Sequence, residues 1–192
     1  MVEGTRRLIL VKHAMPEIDP QLPAPRWPLS SAGREASVAL AKRLERYRPT
    51  RVVTSVEPKA AETGAIVAAT LGLPVSIATG LHEHDSGDVP FMGTEAWNAT
   101  VAEVFARPDE VVLGRDSAND AAERFGAAVA RVQDAFPDDR TVIVAHGRVI
   151  SLVVARANGI DGFDLWRRLG LPSFVVVEPP AWRVIDVVEG VV

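Results

Sequence analysis

What most restricts the fold of this chain is its alternation of short β-branched runs with longer stretches of helical periodicity. Leu8-Ile9-Leu10-Val11 is apolar at every position, the pattern of a strand covered on both faces in a parallel sheet. Ser30 or Ser31 then caps a helix running to about Tyr47. Its Ala36, Leu40, Ala41 and Leu44 form an apolar stripe, while Arg34, Lys42, Arg43 and Glu45 fall largely elsewhere. Arg51–Thr54 reads as a second strand. Pro58 opens a helix through Ala65, Ile66, Ala69 and Leu71 that stops at Gly72, and Pro74–Ile77 follows as a third strand. The stretch His84–Gly93, rich in Asp, Gly and Pro, is expected to be loop. Helices are expected over about Glu95–Phe105 and Asn119–Phe136, the latter with Ala122, Phe125, Val129 and Val132 on one face. Thr141–Ala145 is a strongly apolar strand leading into a helix that ends near Ala157, and Phe174–Val177 and Arg183–Val188 are strands joined by a turn at Pro179-Pro180. Repeated β-then-α order predicts an α/β fold, a three-layer α/β/α sandwich with a mostly parallel central sheet. No repeat or low-complexity linker interrupts the 192 residues, so a single domain over 1–192 is expected.

Composition narrows the function classes. Hydrophobic residues make up 47% and charged residues 24%, the balance of an ordinary globular chain. A net charge of −4 supplies no global basic field for nucleic acid or an anionic membrane. Cysteine is absent, which removes disulfides, thiolate metal sites and cysteine nucleophiles. The longest apolar runs are strand-length, far below the roughly 20 residues of a membrane span. Arg6 and Arg7 precede only four apolar residues before Lys12, too few for the core of a signal peptide. A cytoplasmic location is therefore the expectation. Neither Ser55 nor Ser117 has a Gly-x-Ser-x-Gly setting, and no Gly-x-x-x-x-Gly-Lys-Ser/Thr run occurs, which disfavours a serine hydrolase and a P-loop nucleotide hydrolase.

In a parallel sheet, ligands bind beyond the carboxyl ends of the strands. His13 sits there, one cation (Lys12) after the first strand. His146 directly follows Thr141–Ala145, and Gly147 opens a helix whose free N–H groups face the same crevice. Each histidine alone is what a satisfied polar residue at a strand end looks like. Two at equivalent ends, beside a lysine and a helix N-terminus, point to an anion site. His82 and His84 share a face of an extended segment, but a pair without a third histidine is a weak metal signature, and no metal is expected. Arg148, just after His146-Gly147, could supply a guanidinium to the pocket, but a solvated helix residue is the favoured expectation. Trp27 and Trp97 are placed near the mouth of the crevice.

The run Leu8 to Ala14, with Lys12-His13-Ala14 at its end, resembles the Arg-His-Gly signature of the histidine phosphatase (phosphoglycerate mutase-like) superfamily. Four further segments resemble that family in order: Pro28–Ala36, its Pro-Leu-Thr-x-x-Gly-x-x-Gln-Ala; Thr54–Thr63, its Ser-Ser-Pro-x-x-Arg-Ala-x-Gln-Thr; Leu81-His82-Glu83, its Leu-x-Glu; and Val144–Gly147, its second His-Gly. The likeness runs from about Arg7 to Ala155. It implies a metal-independent phosphatase with no cofactor. His13 attacks phosphorus to form a phosphohistidine, and Glu83 gives a proton to the departing oxygen and then helps activate water. His146, with Lys12, Lys59 and Gly147, holds the phosphoryl oxygens. Glu83 must be protonated when the leaving group departs, so a desolvated position beside the anionic phosphate is expected to raise its pKa. The family usually has arginine where Lys12 and Lys59 stand. Lysine keeps the charge but lacks the planar fork that grips two oxygens, so weaker phosphate binding is expected.

A phosphatase is favoured over a mutase, because Ala14-Met15-Pro16-Glu17 replaces the acidic residue and Trp-Asn that mutases carry there, in a longer chain. The rival from another class is a non-catalytic phospholigand- or protein-binding module on the same fold. Retention of His13, Glu83 and His146 together argues against it, since a binder needs no proton donor. The expected substrate is a small phosphorylated metabolite, selected by the Glu17–Pro28 and His84–Gly93 segments. A homodimer is the assembly that the resemblance suggests.

Overall fold

The computed structural model describes residues 7–87, 89 and 91–191; Arg6, and Asp88 and Pro90 of the expected loop, lie outside the described residues. Six strands, β1 (Leu8–Lys12), β2 (Arg51–Thr54), β3 (Val75–Ile77), β4 (Thr141–Ala145), β5 (Ser173–Glu178) and β6 (Arg183–Val188), form one sheet in the order β3-β2-β4-β1-β5-β6. The first four run parallel, and β5 and β6 are antiparallel to the neighbours they pair with. The sheet is thus the mostly parallel one that the alternating pattern predicts.

Because side chains alternate across a strand, the uniformly apolar runs feed two cores at once. Leu8, Leu10, Val53, Ile143 and Ala145 point into one core. It is filled by α3 (Thr94–Ala106), α4 (Ala118–Ala135), α5 (Gly147–Asn158) and α6 (Gly162–Arg168), with Phe125 fully buried. Ile9, Val11, Val52, Val142 and Val144 point the other way, against Leu40, Ala41 and Leu44 of α1 (Ser31–Leu44) and Ala60, Val67 and Ala68 of α2 (Pro58–Leu71). Three layers follow directly. The expected helices and strands all form, with α1 tightening into a 3-10 turn at Glu45–Tyr47 and α2 ending on Gly72 in the left-handed conformation. The seven-residue α6 is an addition. Only its Leu165 is buried, so it leaves no periodic stripe to read, and Asp161 caps it by accepting from the Asp164 N–H.

Register sets the site. Lys12 lies opposite Ala145 and Val144 opposite Thr54. The His13 N–H continues the ladder to the Ala145 carbonyl at 3.1 Å, and the Ser55 N–H to Val144 at 2.9 Å. The carboxyl ends of β1, β4 and β2 therefore finish level. The chain leaving His13 is pinned at once: the Ser30 N–H and hydroxyl both donate to the Met15 carbonyl, at 3.1 and 3.0 Å, while the same hydroxyl accepts from the Gly33 N–H to cap α1. Gly33 is required by this approach, since a Cβ there would stand 2.1 Å from the Met15 oxygen. Gly33→Ala is expected to lower stability by about 1–3 kcal/mol through overpacking against backbone. Urea denaturation checks this; an unchanged midpoint would show that the two segments do not meet so closely.

Candidate active site

His13 is nine-tenths buried and its Nδ1 lies 2.7 Å from the Ala14 carbonyl. A carbonyl only accepts, so Nδ1 carries the proton and the lone pair is on Nε2. Burial, then His146 and Lys59, with Lys12 adding less, push its pKa well below the ordinary histidine value. His13 is thus neutral near pH 7, as a nucleophilic imidazole must be. The Ala14 N–H is held by the Thr63 hydroxyl at 3.1 Å, and that hydroxyl donates to the Lys59 carbonyl at 2.7 Å. One residue of α2 thereby ties the strand end that carries His13 to the helix that carries the second lysine.

His146 caps α5 with extended backbone and packs edge-on against His13, ring centroids 5.2 Å apart. Its Nε2 is 2.9 Å from the Ser55 hydroxyl and 3.4 Å from Glu57 Oε1. A carboxylate accepts only, so the tautomer with a proton on Nε2 suits both neighbours. Burial drives its pKa down to about 3, with Lys59 and Arg148 lowering it further and Glu83 opposing.

The two lysines reach the crevice by different routes. Lys12 lays its stem along Gly147, where a Cβ would come within 3.0 Å of Lys12 Cε. Its ammonium donates to the Leu169 carbonyl at 2.6 Å and lies 5.9 Å from the Trp166 ring centre. Burial lowers its pKa to about 8, against the pull of Glu83. Lys59 donates to the Ala24 carbonyl at 2.8 Å and to Glu57 Oε2 at 2.5 Å. Glu57 was not singled out by the sequence, where it occupies a variable position of the matching segment; here it is buried beside His146 and Lys59.

Glu83 lies in the crevice, where the protein's own groups lower its pKa. Burial alone would raise its pKa, yet Arg148, His146 and backbone N–H groups outweigh that and hold it at about 2. Its Oε1 accepts from the His84 and Val149 N–H groups at 2.9 and 3.1 Å, and its Oε2 from the Arg148 N–H at 3.1 Å. The N-terminus of α5, expected to be open to a ligand, is therefore partly filled by this carboxylate. Arg148 is likewise not solvated. It is buried, with its guanidinium on the His84 carbonyl at 3.1 Å, the Ser86 hydroxyl at 2.8 Å and the Trp97 face at 5.0 Å. His84 is buried with Nε2 2.9 Å from the Asp116 carbonyl. Among the described residues no group of three or more His, Asp or Glu side chains is arranged to hold a metal ion, and no helix is long and apolar enough to cross a membrane. Trp27, half-buried, donates from Nε1 to the Asp19 and Leu22 carbonyls at 2.9 and 3.1 Å.

Two buried imidazoles, two lysines and two carboxylates thus gather at level strand ends. The chain matches the Histidine phosphatase superfamily (branch 1) over residues 8–182 and belongs to that superfamily. It is 25% identical over 134 residues to the uncharacterized phosphatase PhoE of Bacillus subtilis (strain 168); the match spans 70% of this chain and 66%, just under two thirds, of that protein. It is 31% identical over 182 residues to the glucosyl-3-phosphoglycerate phosphatase of Mycolicibacterium vanbaalenii, covering 86% of this chain and 79% of the relative. In fold it is similar to the solved native structure of a mycobacterial glucosyl-3-phosphoglycerate phosphatase, with TM-score 0.76, 23% identity, and coverage of 96% and 99% of the two chains.

The electrostatics carry a stability consequence. Both histidine pKa values are lowered on folding, so below about pH 6.5 the unfolded chain binds protons that the folded one refuses. Stability is then complete above that pH and falls as pH drops, by up to about 1.4 kcal/mol per pH unit for each histidine. Urea unfolding at pH 7, 6 and 5 should show this fall, and His146→Asn should flatten it. Equal stability at pH 7 and 5 would mean that the folded protein accepts these protons.

Proposed function

We propose that the protein is a metal-independent phosphomonoesterase that works through a phosphohistidine at His13. The observation that carries this reading is the His13 tautomer: Nδ1 is committed to the Ala14 carbonyl at 2.7 Å, leaving a neutral imidazole with its lone pair on Nε2, among His146, Lys59 and Lys12. Attack on phosphorus forms the P–N bond as the ester P–O bond breaks. Lys12 and Lys59 turn from their carbonyl partners to the phosphoryl oxygens, and His146 offers its Nε2–H. Charge stabilisation in so buried a site counts for more than in water.

The substrate reading is a small anionic metabolite. Lys12 opens onto a cavity of about 350 Å³ lined also by Asn98, Trp166, Arg167, Arg168 and Leu169, the size of a small-molecule pocket. Trp166 stacks on Phe163 at 5.8 Å and presents a rigid apolar wall beside cationic groups. That lining suits a leaving group with a polar or anionic body, such as the sugar-acid part of the substrate for which the mycobacterial relative is named. Trp166→Ala is expected to raise KM for such esters about tenfold while leaving p-nitrophenyl phosphate nearly unaffected; equal effects on both would remove the cavity from substrate binding.

The primary test is phosphate release from p-nitrophenyl phosphate and a metabolite panel in excess chelator. Release should persist in wild type and vanish in His13→Ala. Tight phosphate-ester binding with no release by folded protein between pH 5 and 8 would instead support a phospholigand-binding module, and transfer between positions of a phosphoglycerate a mutase. A pH profile tests Lys12 separately. Its charge is lost as pH rises through about 8, so kcat/KM, which reports the free enzyme, should fall there. Lys12→Arg should abolish that limb, since guanidinium stays charged.

A further inference from the structure

We propose that Arg124 is a positioning residue for the proton-transfer step, acting through the backbone that carries Glu83. The proposal rests on the phosphohistidine reading above, with Glu83 as the proton donor that the family resemblance implies. As the His13 Nε2 lone pair forms the P–N bond, the ester P–O bond breaks and protonated Glu83 gives its proton to the departing oxygen. Water then attacks the phosphohistidine while ionised Glu83 takes its proton. The P–N electron pair returns to Nε2, and inorganic phosphate departs. Both transfers require the carboxyl group to be held within hydrogen-bond reach of the reacting oxygen.

His13 and His146 are placed by strand ends, but Glu83 is not. It lies in the irregular stretch between β3 and α3, where no ladder register fixes it. The donors that fix it come from α4. Arg124 Nη1 donates to the Gly80 carbonyl at 2.9 Å and to the His82 carbonyl at 2.8 Å. Its Nη2 donates to the Glu83 carbonyl at 3.0 Å and to Asp116 Oδ2 at 3.3 Å. Between these carbonyls Leu81 is fully buried, in the same core as Ala121, Ala122, Phe125 and Ala128 of α4. Burying Leu81 draws the run away from water, so its carbonyls need donors that neither helix nor sheet supplies. One planar guanidinium supplies them in a fixed geometry.

Asp116 extends the grip to the residues that follow. Its Oδ1 accepts from the Asp85 N–H at 2.9 Å, and its carbonyl lies 2.9 Å from His84 Nε2. On the opposite side the Glu83 N–H donates to Glu57 Oε1 at 2.8 Å. The Glu83 backbone is thus held at both its N–H and its carbonyl, with Arg124 serving the carbonyl. From that anchored backbone the side chain reaches the start of α5. Among the described residues its Oε2 accepts one hydrogen bond, from the Arg148 N–H at 3.1 Å, and Arg148 Nε stands off at 3.6 Å. A lone pair on Oε2 is therefore open to carry the proton.

The rival role is purely structural: loss of Arg124 lowers the amount of folded protein and leaves the chemistry of what remains unaltered. The experiment that separates the two measures kcat and KM on folded wild type, Arg124→Ala, Arg124→Lys, Arg131→Ala and Glu83→Gln. The esters range from 2,4-dinitrophenyl phosphate, whose leaving group needs no proton, to glycerol phosphate, whose leaving group does. A displacement of about 1 Å can cost roughly a hundredfold in rate. Arg124→Ala should therefore lose at least about tenfold in kcat on glycerol phosphate and change little on the dinitrophenyl ester, steepening the dependence on leaving-group pKa. Inhibition by inorganic phosphate should stay nearly as in wild type, because His13, Lys12, Lys59 and His146 stand on other elements. Arg124→Lys keeps the charge without the fork and should steepen the series less; it carries the comparison should Arg124→Ala not fold. Arg131, on the same helix, donates only to the Thr79 carbonyl at 3.4 Å among the described residues, and Arg131→Ala should leave the slope unchanged. A wild-type slope in every folded Arg124 variant, or equal steepening in Arg131→Ala, overturns the proposal. An unsteepened series in Glu83→Gln is a failure of the donor assignment, and full activity in His13→Ala is a failure of the phosphohistidine reading. Either is told apart from the Arg124 result and takes this proposal with it.

Discussion

Three parallel strands, β1, β4 and β2, end at the same height, and the chemistry of the protein depends on that levelling. The first residues beyond β1 and β2 both continue the ladder onto β4, the His13 N–H donating to Ala145 and the Ser55 N–H to Val144. Residues about 40 to 130 apart in sequence are thereby delivered to one crevice by backbone pairing alone. The two imidazoles meet because the register brings their strand ends together, and Glu83 is the part of the crevice that a loop supplies. The apolar strand interiors secure this register, since a slip by one residue would exchange the two faces of the sheet and send each strand's side chains into the wrong core.

The crevice gathers charges that burial disfavours. Lys59, Glu57, Glu83 and Arg148 all lie out of bulk water, and each is matched: Lys59 with Glu57, Glu83 with Arg148 and the start of α5. Such pairing seldom adds net stability. Burial is the main cause that holds both histidines neutral, with Lys59 adding to it, and the pairing keeps that lysine in the crevice beside them. Lysine rather than arginine at positions 12 and 59 belongs to this arrangement, because an ammonium on a flexible stem can rest on a carbonyl and move to a phosphoryl oxygen.

Most of the scaffold was legible in the sequence, since periodicity and caps are local. The six strands and five longer helices follow from apolar runs, from Ser30 capping α1 and from Gly72 ending α2. The positions of His13, His146, Lys12 and Lys59 were legible for the same reason, being tied to strand ends and a helix start. What escaped depends on partners distant in sequence. Arg148 looks like a surface helix residue until Glu83 and the His84 carbonyl are placed beside it. The protonation of Glu83 could not be read because its donors come from the helix that follows β4. Glu57 has no motif to announce it, and α6 is too short to carry a stripe.

The Thr63 hydroxyl, which accepts from the Ala14 N–H and donates to the Lys59 carbonyl, gives the crevice a mechanical character. A single oxygen fastens the end of a strand to the first turns of a helix on the neighbouring layer, so thermal motion of one is passed to the other with little slack. The backbone of His13 and the backbone of Lys59 are thereby held at a fixed separation, and only the lysine's stem is left to move. The rim loops stand outside this fastening and are free to diverge in sequence. A lineage can therefore change what it admits to the pocket without disturbing the tolerances at its floor.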